Sequence, residues 1–393
     1  MDKMKPIKSQ YYFKKEQWKY TKIDSFKNYN FNYKPLNHNT NNKKCGNNEI
    51  LLHNGYFIES GETIKKNNII IYNIKDALNK GIKHLEKLFN NIIPKYDDFY
   101  MYQNKKKFFT GYYLYIPKKL KLSEPIIINN INDDGDKKSF INYRNFIFCD
   151  HNTNVKIINH DLSEIIACNN IINEIYIDNN SELEIITEFN KPDTKQIYNC
   201  SVNINQNAKF KYHALDFKGK FIKNNYYFNL NEPGAECIFN GFNIAQSKNY
   251  IDNYVEISHN NKHTKSNLDY KIISSDRSKS ILFAKAIIKE SSSNCEAYQN
   301  NHNLILSKKA TIHSNPQLEI YNDDVQCSHG STTGQIDDEI IHYMRTRGIN
   351  INNAKKLILE GFLHDITDNI SVESFTKKIN NKIAEYLQNE NFG

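Results

Sequence analysis

The sequence predicts a mainly β protein, with a β-helix (β-solenoid) core flanked by N-terminal and C-terminal helical regions. Short runs of alternating apolar residues, separated by Asn, Gly, Ser and Asp, fill the chain from about Thr110 to Tyr321 without any helical period. Pairs of these runs enclose polar turns at a regular interval, because Asn154, Ser181, Asn207 and Gly234 lie 27, 26 and 27 residues apart. A strand–turn–strand unit cannot bury its apolar face alone, whereas stacked units bury a continuous core. A β-sandwich stays open as the alternative, since alternation does not exclude it.

The predicted elements divide the chain into a helical and mixed region at residues 1–109, the β-helix core at 110–333 and a C-terminal helical region at 334–393. In the first region we expect an amphipathic helix at 9–27, docked by its aromatic face with Trp18, and a polar loop at 28–48. The elements expected next are a strand at Glu49–Tyr56 with a turn at Asn54-Gly55, a strand at Ile69–Tyr72 and a helix at Asp76–Leu88.

Three helices are predicted after the core. The first has Asp337 as its N-cap and ends at Gly348, with Arg345 and Arg347 in its last turn. The second includes the apolar positions Ala354, Leu357, Ile358 and Leu363, and the third, capped by Ser371, carries a stripe of Val372, Phe375, Ile379, Ile383 and Leu387. This stripe has two interpretations: packing against the solenoid, or a docking surface for another protein.

One segment at the end of the core combines a thiol with an imidazole. Cys327 and His329 are two positions apart in an extended run, so their side chains point to the same side. A thiolate and a neutral imidazole both bind iron and zinc, so the pair is a candidate metal or cluster site. The alternative is a small buried cysteine beside a hydrogen-bonded turn histidine. For the nearby Glu319, Asp323 and Asp324, a solvated strand end is favoured over an iron-attracting role.

Composition narrows the function classes. The net charge of +8 comes without a compact Arg/Lys block interleaved with aromatics, so a nucleic-acid partner is not expected. The seven cysteines are scattered, odd in number and never spaced as C-x-x-C, which argues against a disulfide framework or a zinc ribbon. No apolar leader follows Met1 and no run reaches membrane-spanning length, so we expect a cytoplasmic protein without a membrane partner.

The motifs of common enzyme classes are absent from the sequence. It contains no G-x-x-x-x-G-K-[ST] phosphate-binding loop, no G-x-S-x-G and no H-E-x-x-H. We therefore expect no bound nucleotide and a non-catalytic chain. Two enzyme alternatives stay open: a β-helix carbohydrate-active enzyme, and a metal-dependent hydrolase that uses His302, His313 and His329.

Four ordered segments carry a family resemblance: Pro-Gln-Leu-Glu-Ile at 316–320, Asp-Asp-Val-Gln-Cys-Ser-His-Gly at 323–330, Thr-Thr-Gly-Gln-Ile-Asp-Asp-Glu at 332–339 and Tyr-Met-Arg-Thr-Arg-Gly-Ile at 343–349. Together they resemble the SufB/SufD family of the SUF iron–sulfur cluster assembly machine. The segment Glu-Gln-Trp-Lys-Tyr-Thr at 16–21 resembles the family's N-terminal segment more thinly. The first two segments together favour the SufD branch over SufB.

The resemblance implies a β-helix with helical flanks and a scaffold role in cluster assembly. It implies pairing with SufB, and binding of the ATPase SufC, which would supply ATP hydrolysis. It places His329, and with it Cys327, at the SufB interface, where an iron–sulfur cluster would be held transiently and shared with SufB. The residues expected on the SufC or SufB side are Arg345, Arg347, Gly348, Leu357, Ile358 and Phe362.

Overall fold

The computed structural model describes residues 18–21, 45–94, 99–132, 139–162 and 168–388. The helix predicted at 9–27 and the loop predicted at 28–48 therefore lie outside the described residues, except at 18–21 and 45–48. Residues 18–21 form one turn, in which the Thr21 amide donates to the Trp18 carbonyl at 3.0 Å.

Seventeen strands and seven helices are found in the described residues. The strands are β1 (Glu49–His53), β2 (Tyr56–Ser60), β3 (Ile70–Asn73), β4 (Tyr112–Ile116), β5 (Ile126–Ile131), β6 (Phe140–Cys149), β7 (Asn154–Asp161), β8 (Cys168–Ile177), β9 (Glu182–Ile204), β10 (Lys209–Leu230), β11 (Glu236–Ala245), β12 (Tyr250–His259), β13 (Lys265–Ser274), β14 (Lys279–Ile288), β15 (Cys295–Ile305), β16 (Thr311–Ile320) and β17 (Val325–Gly334). The helices are α1 (Glu62–Lys66), α2 (Ile74–Asn79), α3 (Lys83–Leu88), α4 (Phe99–Lys107), α5 (Asp338–Thr346), α6 (Ile351–Thr367) and α7 (Glu373–Gln388).

The strands form two parallel ladders, and the chain alternates between them. Ladder A contains β4, β6, β8, the second half of β9, the second half of β10, β12, β14 and β16. Ladder B contains β1, β5, β7, the first halves of β9 and β10, β11, β13, β15 and β17. Each coil contributes one strand to each ladder. The β-solenoid prediction is thus confirmed, and the sandwich is excluded because neighbouring strands are parallel and one coil apart.

The repeat predicted from the turns is the length of one coil. Phe228 pairs with Val202, 26 residues earlier, and Phe210 pairs with Leu183, 27 residues earlier. Later coils are longer, since Thr311 pairs with Lys279, 32 residues earlier. At the corner between ladder A and ladder B, successive coils place one residue each at positive φ, namely Asn152, Asn180, Asn207, Gly234, His263 and Asn294. Asn and Gly tolerate this conformation best, which explains the polar turns seen in the sequence.

The core lies between the two ladders and is built by aromatic and β-branched side chains. Tyr212, Phe239 and Tyr270 stack on successive coils of ladder B with ring centroids 5.9 and 6.1 Å apart. Aromatic pairs at this spacing add about 0.5–1.5 kcal/mol to the burial of their apolar area. Such columns hold consecutive coils in register.

The N-terminal end of the solenoid is covered. The hairpin β1–β2 turns at Asn54 and Gly55, both at positive φ as a two-residue hairpin requires, and β3 pairs antiparallel with β4. The single helix predicted at Asp76–Leu88 is wrong, because the segment forms the two short helices α2 and α3. Gly81 lies between them at φ +64°, a conformation incompatible with a continuous helix.

The C-terminal helices pack on the outer face of ladder B. Apolar residues of β7, β9, β10, β11 and β13 form one cluster with Leu359 and Leu363 of α6 and with the α7 residues Phe375, Ile379 and Ile383. The stripe on α7 is therefore buried against the solenoid. The docking interpretation, which the family resemblance favours, is wrong for this stripe. Among the described helices, none is long and apolar enough to cross a membrane.

Candidate functional site

In the part of the chain that the structure describes, the last coil leaves the C-terminal end of the solenoid open. Strand β16 pairs with β14, and β17 pairs with β15, and no further strand of the described residues covers either one. Their outer backbone groups form a free sheet edge. Large apolar side chains at this end are exposed, with Ile320 at 43% and Tyr321 at 60% of their full area.

Cys327 and His329 lie on the inner face of β17, at the mouth of the solenoid. They pair with Ala297 and Gln299 of β15, both of which are buried inward-facing residues. The two side chains therefore point to the same side, as the extended backbone predicts. Cys327 is half-buried and packs against a buried cluster that includes Cys295 and Ala297, whereas His329 is exposed.

Hydrogen bonds fix the two edge strands relative to each other across this mouth. The Oγ atoms of Ser314 on β16 and Ser331 on β17 are 2.8 Å apart, and the Ser314 hydroxyl donates to Asn301 Oδ1 at 2.6 Å. The Gln299 side chain of β15 donates to the Gln317 carbonyl of β16 at 3.4 Å. Two of the four segments that carry the family resemblance, 316–320 and 323–330, lie in or beside these two edge strands.

Burial decides the protonation of the thiol. Desolvation raises the pKa of Cys327 above its ordinary value, although a hydrogen bond with the backbone of Ala297 opposes this. The thiol is therefore protonated at neutral pH and must lose its proton to bind a metal. In the described residues, no third His, Cys or carboxylate side chain joins Cys327 and His329 in a ligand cluster. The described part of the chain thus offers two candidate ligands at this end.

The neighbouring acids have structural roles. Glu319 pairs with Lys285 at 2.5 Å and accepts a hydrogen bond from Gln317, while Asp324 accepts from the Asn294 side chain at 2.8 Å. Asp323 is exposed at the strand end. These contacts agree with the solvated strand end favoured from the sequence.

The three histidines proposed for a hydrolase do not converge. His302 lies on the outer face of β15, where its Nδ1 is 2.9 Å from Thr332 Oγ1. His313 lies on β16 and stacks on Tyr20 with ring centroids 5.4 Å apart. Neither forms a three-ligand cluster with His329. The geometry gives this alternative no support.

A carbohydrate-cleaving site would need two available carboxylates about 5–9.5 Å apart. The cavity between the two ladders has a volume of about 110 Å³, and its acidic lining residues are Asp161 and Glu188. Asp161 pairs with Lys191 at 2.8 Å, and Glu188 pairs with Lys382 of α7. Both carboxylates are thus engaged in ion pairs, so this cavity does not supply the required catalytic pair.

The residues predicted for partner binding lie on α5 and α6, with unequal exposure. On or just after α5, the exposed residues are Arg345, Arg347 and Gly348. Gly348 has φ +85° and ends α5 as predicted. Leu357 is 47% exposed, whereas Ile358 and Phe362 are half-buried.

Two further exposed apolar residues on α5, Ile340 at 48% and Tyr343 at 60%, were not selected from the sequence. Their i, i+3 spacing places them on one helix face and was a usable signal. Arg347 lies 5.4 Å from the centre of the Tyr343 ring. The exposed apolar side chains of Ile340 and Tyr343 on α5 and Leu357 on α6 are together called the C-terminal apolar surface.

Comparisons with known proteins agree with the fold and with the resemblance. The family model described as the SUF system FeS cluster assembly, SufBD core domain, matches residues 130–362. A SufBD family iron–sulfur cluster assembly protein of Synechocystis is 26% identical over 212 residues, which cover 54% of this chain and 47% of the relative. The iron–sulfur cluster assembly protein SufD of Escherichia coli is 30% identical over 175 residues, 44% of this chain and 41% of the relative. A chloroplastic SufBD family protein of Arabidopsis thaliana is 20% identical over 342 residues, 83% of this chain and 60% of the relative. The chain spans about half the length of the curated relatives it matches.

Proposed function

Because the chain belongs to the SufBD core family of iron–sulfur cluster assembly proteins and is of the SufD type, we propose that it is a non-catalytic scaffold subunit of a SUF complex. Its partners in this proposal are SufB and the ATPase SufC, and its cargo is a transient iron–sulfur cluster shared with SufB. It binds no nucleotide and no nucleic acid, and it works in the cytoplasm. The seven free cysteines suit a reducing compartment.

The observation that carries the proposal is the open end formed by β16 and β17. A free parallel edge offers a row of backbone donors and acceptors to a second chain, and a family member with a similar open coil would extend both ladders. The exposed Ile320 and Tyr321 add apolar contact at this end. Pairing with SufB at this edge would cover His329, which is exposed in the single chain.

Cluster assembly at this interface uses Cys327 and His329 as two of the ligands, and SufB supplies the others. The imidazole of His329 is accessible to an incoming iron ion, whereas the Cys327 thiol must first lose its proton. Because Cys327 is half-buried, it is less accessible to an incoming iron ion than His329 and is the weaker candidate ligand.

SufC is proposed to bind the C-terminal apolar surface together with Arg345 and Arg347. An apolar patch rimmed by cationic side chains is a usual protein docking surface. Helix α5 directly follows β17, with three residues between them, so a force applied by SufC to α5 reaches the open end. ATP-driven closure of two SufC copies would then strain the SufB interface and give iron and sulfur access to His329.

The test is to co-express the chain with SufB and SufC from the same source, purify the complex anaerobically, and measure its size and its iron–sulfur absorbance. The variants are His329→Ala and Cys327→Ser. The matched control is His302→Ala, an exposed histidine on the adjacent strand whose ring faces outward.

The proposal expects an intact complex in all three variants, at least about tenfold less cluster with His329→Ala, and an unchanged cluster content with His302→Ala. If the unmodified chain does not associate with SufB and SufC, the scaffold role is rejected. A normal cluster content in the His329→Ala complex would keep the scaffold and reject the site.

A further inference from the structure

We propose that Asp150, His151 and Asp178 form a second metal site, specific for a borderline divalent ion such as Zn²⁺ or Co²⁺, on the corner of the solenoid. Each of the three residues offers one ligand atom, and these atoms all lie within 4.8 Å of one another. In the described residues this is the only group of three or more such side chains with that geometry. The three residues lie on early coils, directly after β6 and β8, whereas Cys327 and His329 lie on the last strand.

The coil repeat brings the two aspartates together. Asp150 follows β6 and Asp178 follows β8, directly after the register partners Cys149 and Ile177. The backbone ladder continues through the corner, because the Asp178 amide donates to the Cys149 carbonyl at 2.9 Å. The two carboxylates are 28 residues apart in the chain and are held about one strand spacing, roughly 4.8 Å, apart in space.

Neighbouring groups hold the ligands in place. The Tyr115 hydroxyl donates to Asp150 Oδ2 at 2.7 Å, and His151 Nδ1 lies 2.7 Å from Asp150 Oδ1. The Asn179 amide donates to Asp178 Oδ1 at 2.8 Å. Such outer hydrogen bonds orient ligating carboxylates and raise affinity in known metal sites. All three ligand residues are half-buried, so an ion can reach them.

The charge at this corner also favours a cation. On the outer face of ladder B, acids on neighbouring coils are compensated by lysines, as in the pairs Lys211–Glu182 and Lys209–Glu236. Within the described ranges, no lysine or arginine forms an ion pair with Asp150 or Asp178, and the only basic side chain paired with Asp150 is His151. Two facing carboxylates with one imidazole and no lysine or arginine partner leave a net negative charge, which a divalent ion between them would neutralise.

The ligand set selects the type of ion. One imidazole nitrogen with two carboxylate oxygens suits Zn²⁺, Co²⁺ and Fe²⁺, whereas Ca²⁺ and Mg²⁺ prefer ligand shells made only of oxygen atoms. A bound ion would link the corners of two successive coils and stabilise the folded chain by mass action.

The experiment is an anaerobic Co²⁺ titration of the Cys327→Ser/His329→Ala chain, followed by the visible absorption of bound Co²⁺. Using this background removes the ligands at the open end, so the outcome is independent of the cluster-assembly proposal. Three further substitutions are made one at a time in this background: His151→Ala, Asp178→Asn and Tyr115→Phe. The control is His263→Ala. His263 is an exposed histidine at the same corner, three coils after the coil of Asp178.

We expect one Co²⁺ per chain, displaced by Zn²⁺. Affinity should fall at least about 100-fold with His151→Ala or Asp178→Asn, fall about tenfold with Tyr115→Phe, and stay unchanged with His263→Ala. Circular dichroism of the metal-free variants checks that each one folds. If His151→Ala does not fold, Asp178→Asn, which retains the side-chain shape, still tests whether these residues bind Co²⁺. No Co²⁺ bound at millimolar concentration, or equal affinity in all variants, would overturn the proposal.

Discussion

The Cys327 thiol and the Asp216 carboxyl show how burial sets the chemistry of single residues in this solenoid. Burial raises the pKa of both, but with different consequences. Cys327 lies at the mouth, where a protonated thiol would oppose the proposed metal binding. Asp216 lies 4% exposed in the core, where it accepts a hydrogen bond from Asn224 at 3.2 Å and its ionisation costs stability.

Alkylation of Cys327 should be slow at pH 7 and accelerate as pH rises. Its pKa lies above the ordinary thiol value, so the reactive thiolate is scarce at neutral pH and grows about tenfold per pH unit. The rate is measured by mass spectrometry of the iodoacetamide-labelled folded chain, with glutathione as the reference thiol. A rate at pH 7 above that of glutathione would contradict the burial argument.

Replacing Asp216 with Asn should stabilise the protein, and more so at pH 8 than at pH 5. Burial raises the pKa of Asp216 from 3.8 to about 7, against hydrogen bonds with Asn253 and Tyr270 that lower it. The unfolded carboxyl ionises first as pH rises, so wild-type stability falls between about pH 4 and pH 7. The gain from Asp216→Asn should be about 2–3 kcal/mol larger at pH 8. Urea unfolding at both pH values measures the free energy of unfolding of the variant and of the wild type. An equal gain in this free energy at pH 5 and pH 8 would show that Asp216 does not titrate in this way.

At the scale of elements, the C-terminal helices are attached to the solenoid by buried polar contacts as well as by their apolar faces. Glu184 of β9, 2% exposed, accepts hydrogen bonds from the amide and hydroxyl of Ser371, just before α7, and lies 3.1 Å from His213 Nε2. Burial alone would raise the pKa of Glu184, but these hydrogen bonds outweigh it and lower the pKa to about 2. A lowered carboxyl pKa gives stability that is present above the unfolded value of 4.5 and is lost as pH falls toward 2. This contact therefore persists throughout the physiological range.

Glu184→Gln should loosen α7 at neutral pH. The substitution removes a buried charge that accepts several hydrogen bonds, a loss of about 2–3 kcal/mol. Hydrogen exchange of Glu373–Gln388 should accelerate, because local opening of α7 becomes easier. The control is Glu182→Gln, which breaks a partly exposed ion pair with Lys211 at 3.0 Å and should change exchange little. Equal effects of the two substitutions would argue against Glu184 as the anchor.

Elements were predictable from the sequence where a local signal exists. The Asp337 cap is present, since its carboxylate accepts from the Glu339 amide at 2.8 Å, and the alternating runs became strands. The break at Gly81 was missed because the apolar period continues across it, and only the positive φ reveals it. The packing of α7 on ladder B was missed in favour of a docking surface, since a stripe shows that a face is buried but not what covers it.

At the scale of the whole molecule, the period of the turns predicted the solenoid, because one coil must return each strand to its ladder. The side-chain hydrogen bonds that join β16 and β17 across the mouth were not predictable, since they depend on Ser314, Asn301 and Ser331, which no local pattern connects. The same holds for Asp150 and Asp178, which only the coil register brings together. Local sequence thus singled out Cys327 and His329 as candidate ligands, while their position at the open end depends on the three-dimensional stacking of coils.

The most direct test of the central claim is hydrogen exchange of this chain, alone and with SufB, followed at each end of the solenoid. If the open end is the docking edge, amides in Thr311–Ile320 and Val325–Gly334 gain protection on binding, because their free edge becomes paired. Amides of the covered end, in Glu49–His53 and Tyr56–Ser60, stay unchanged. Protection confined to the covered end, or binding without any change in β16 and β17, would contradict the claim that SufB docks at the open end.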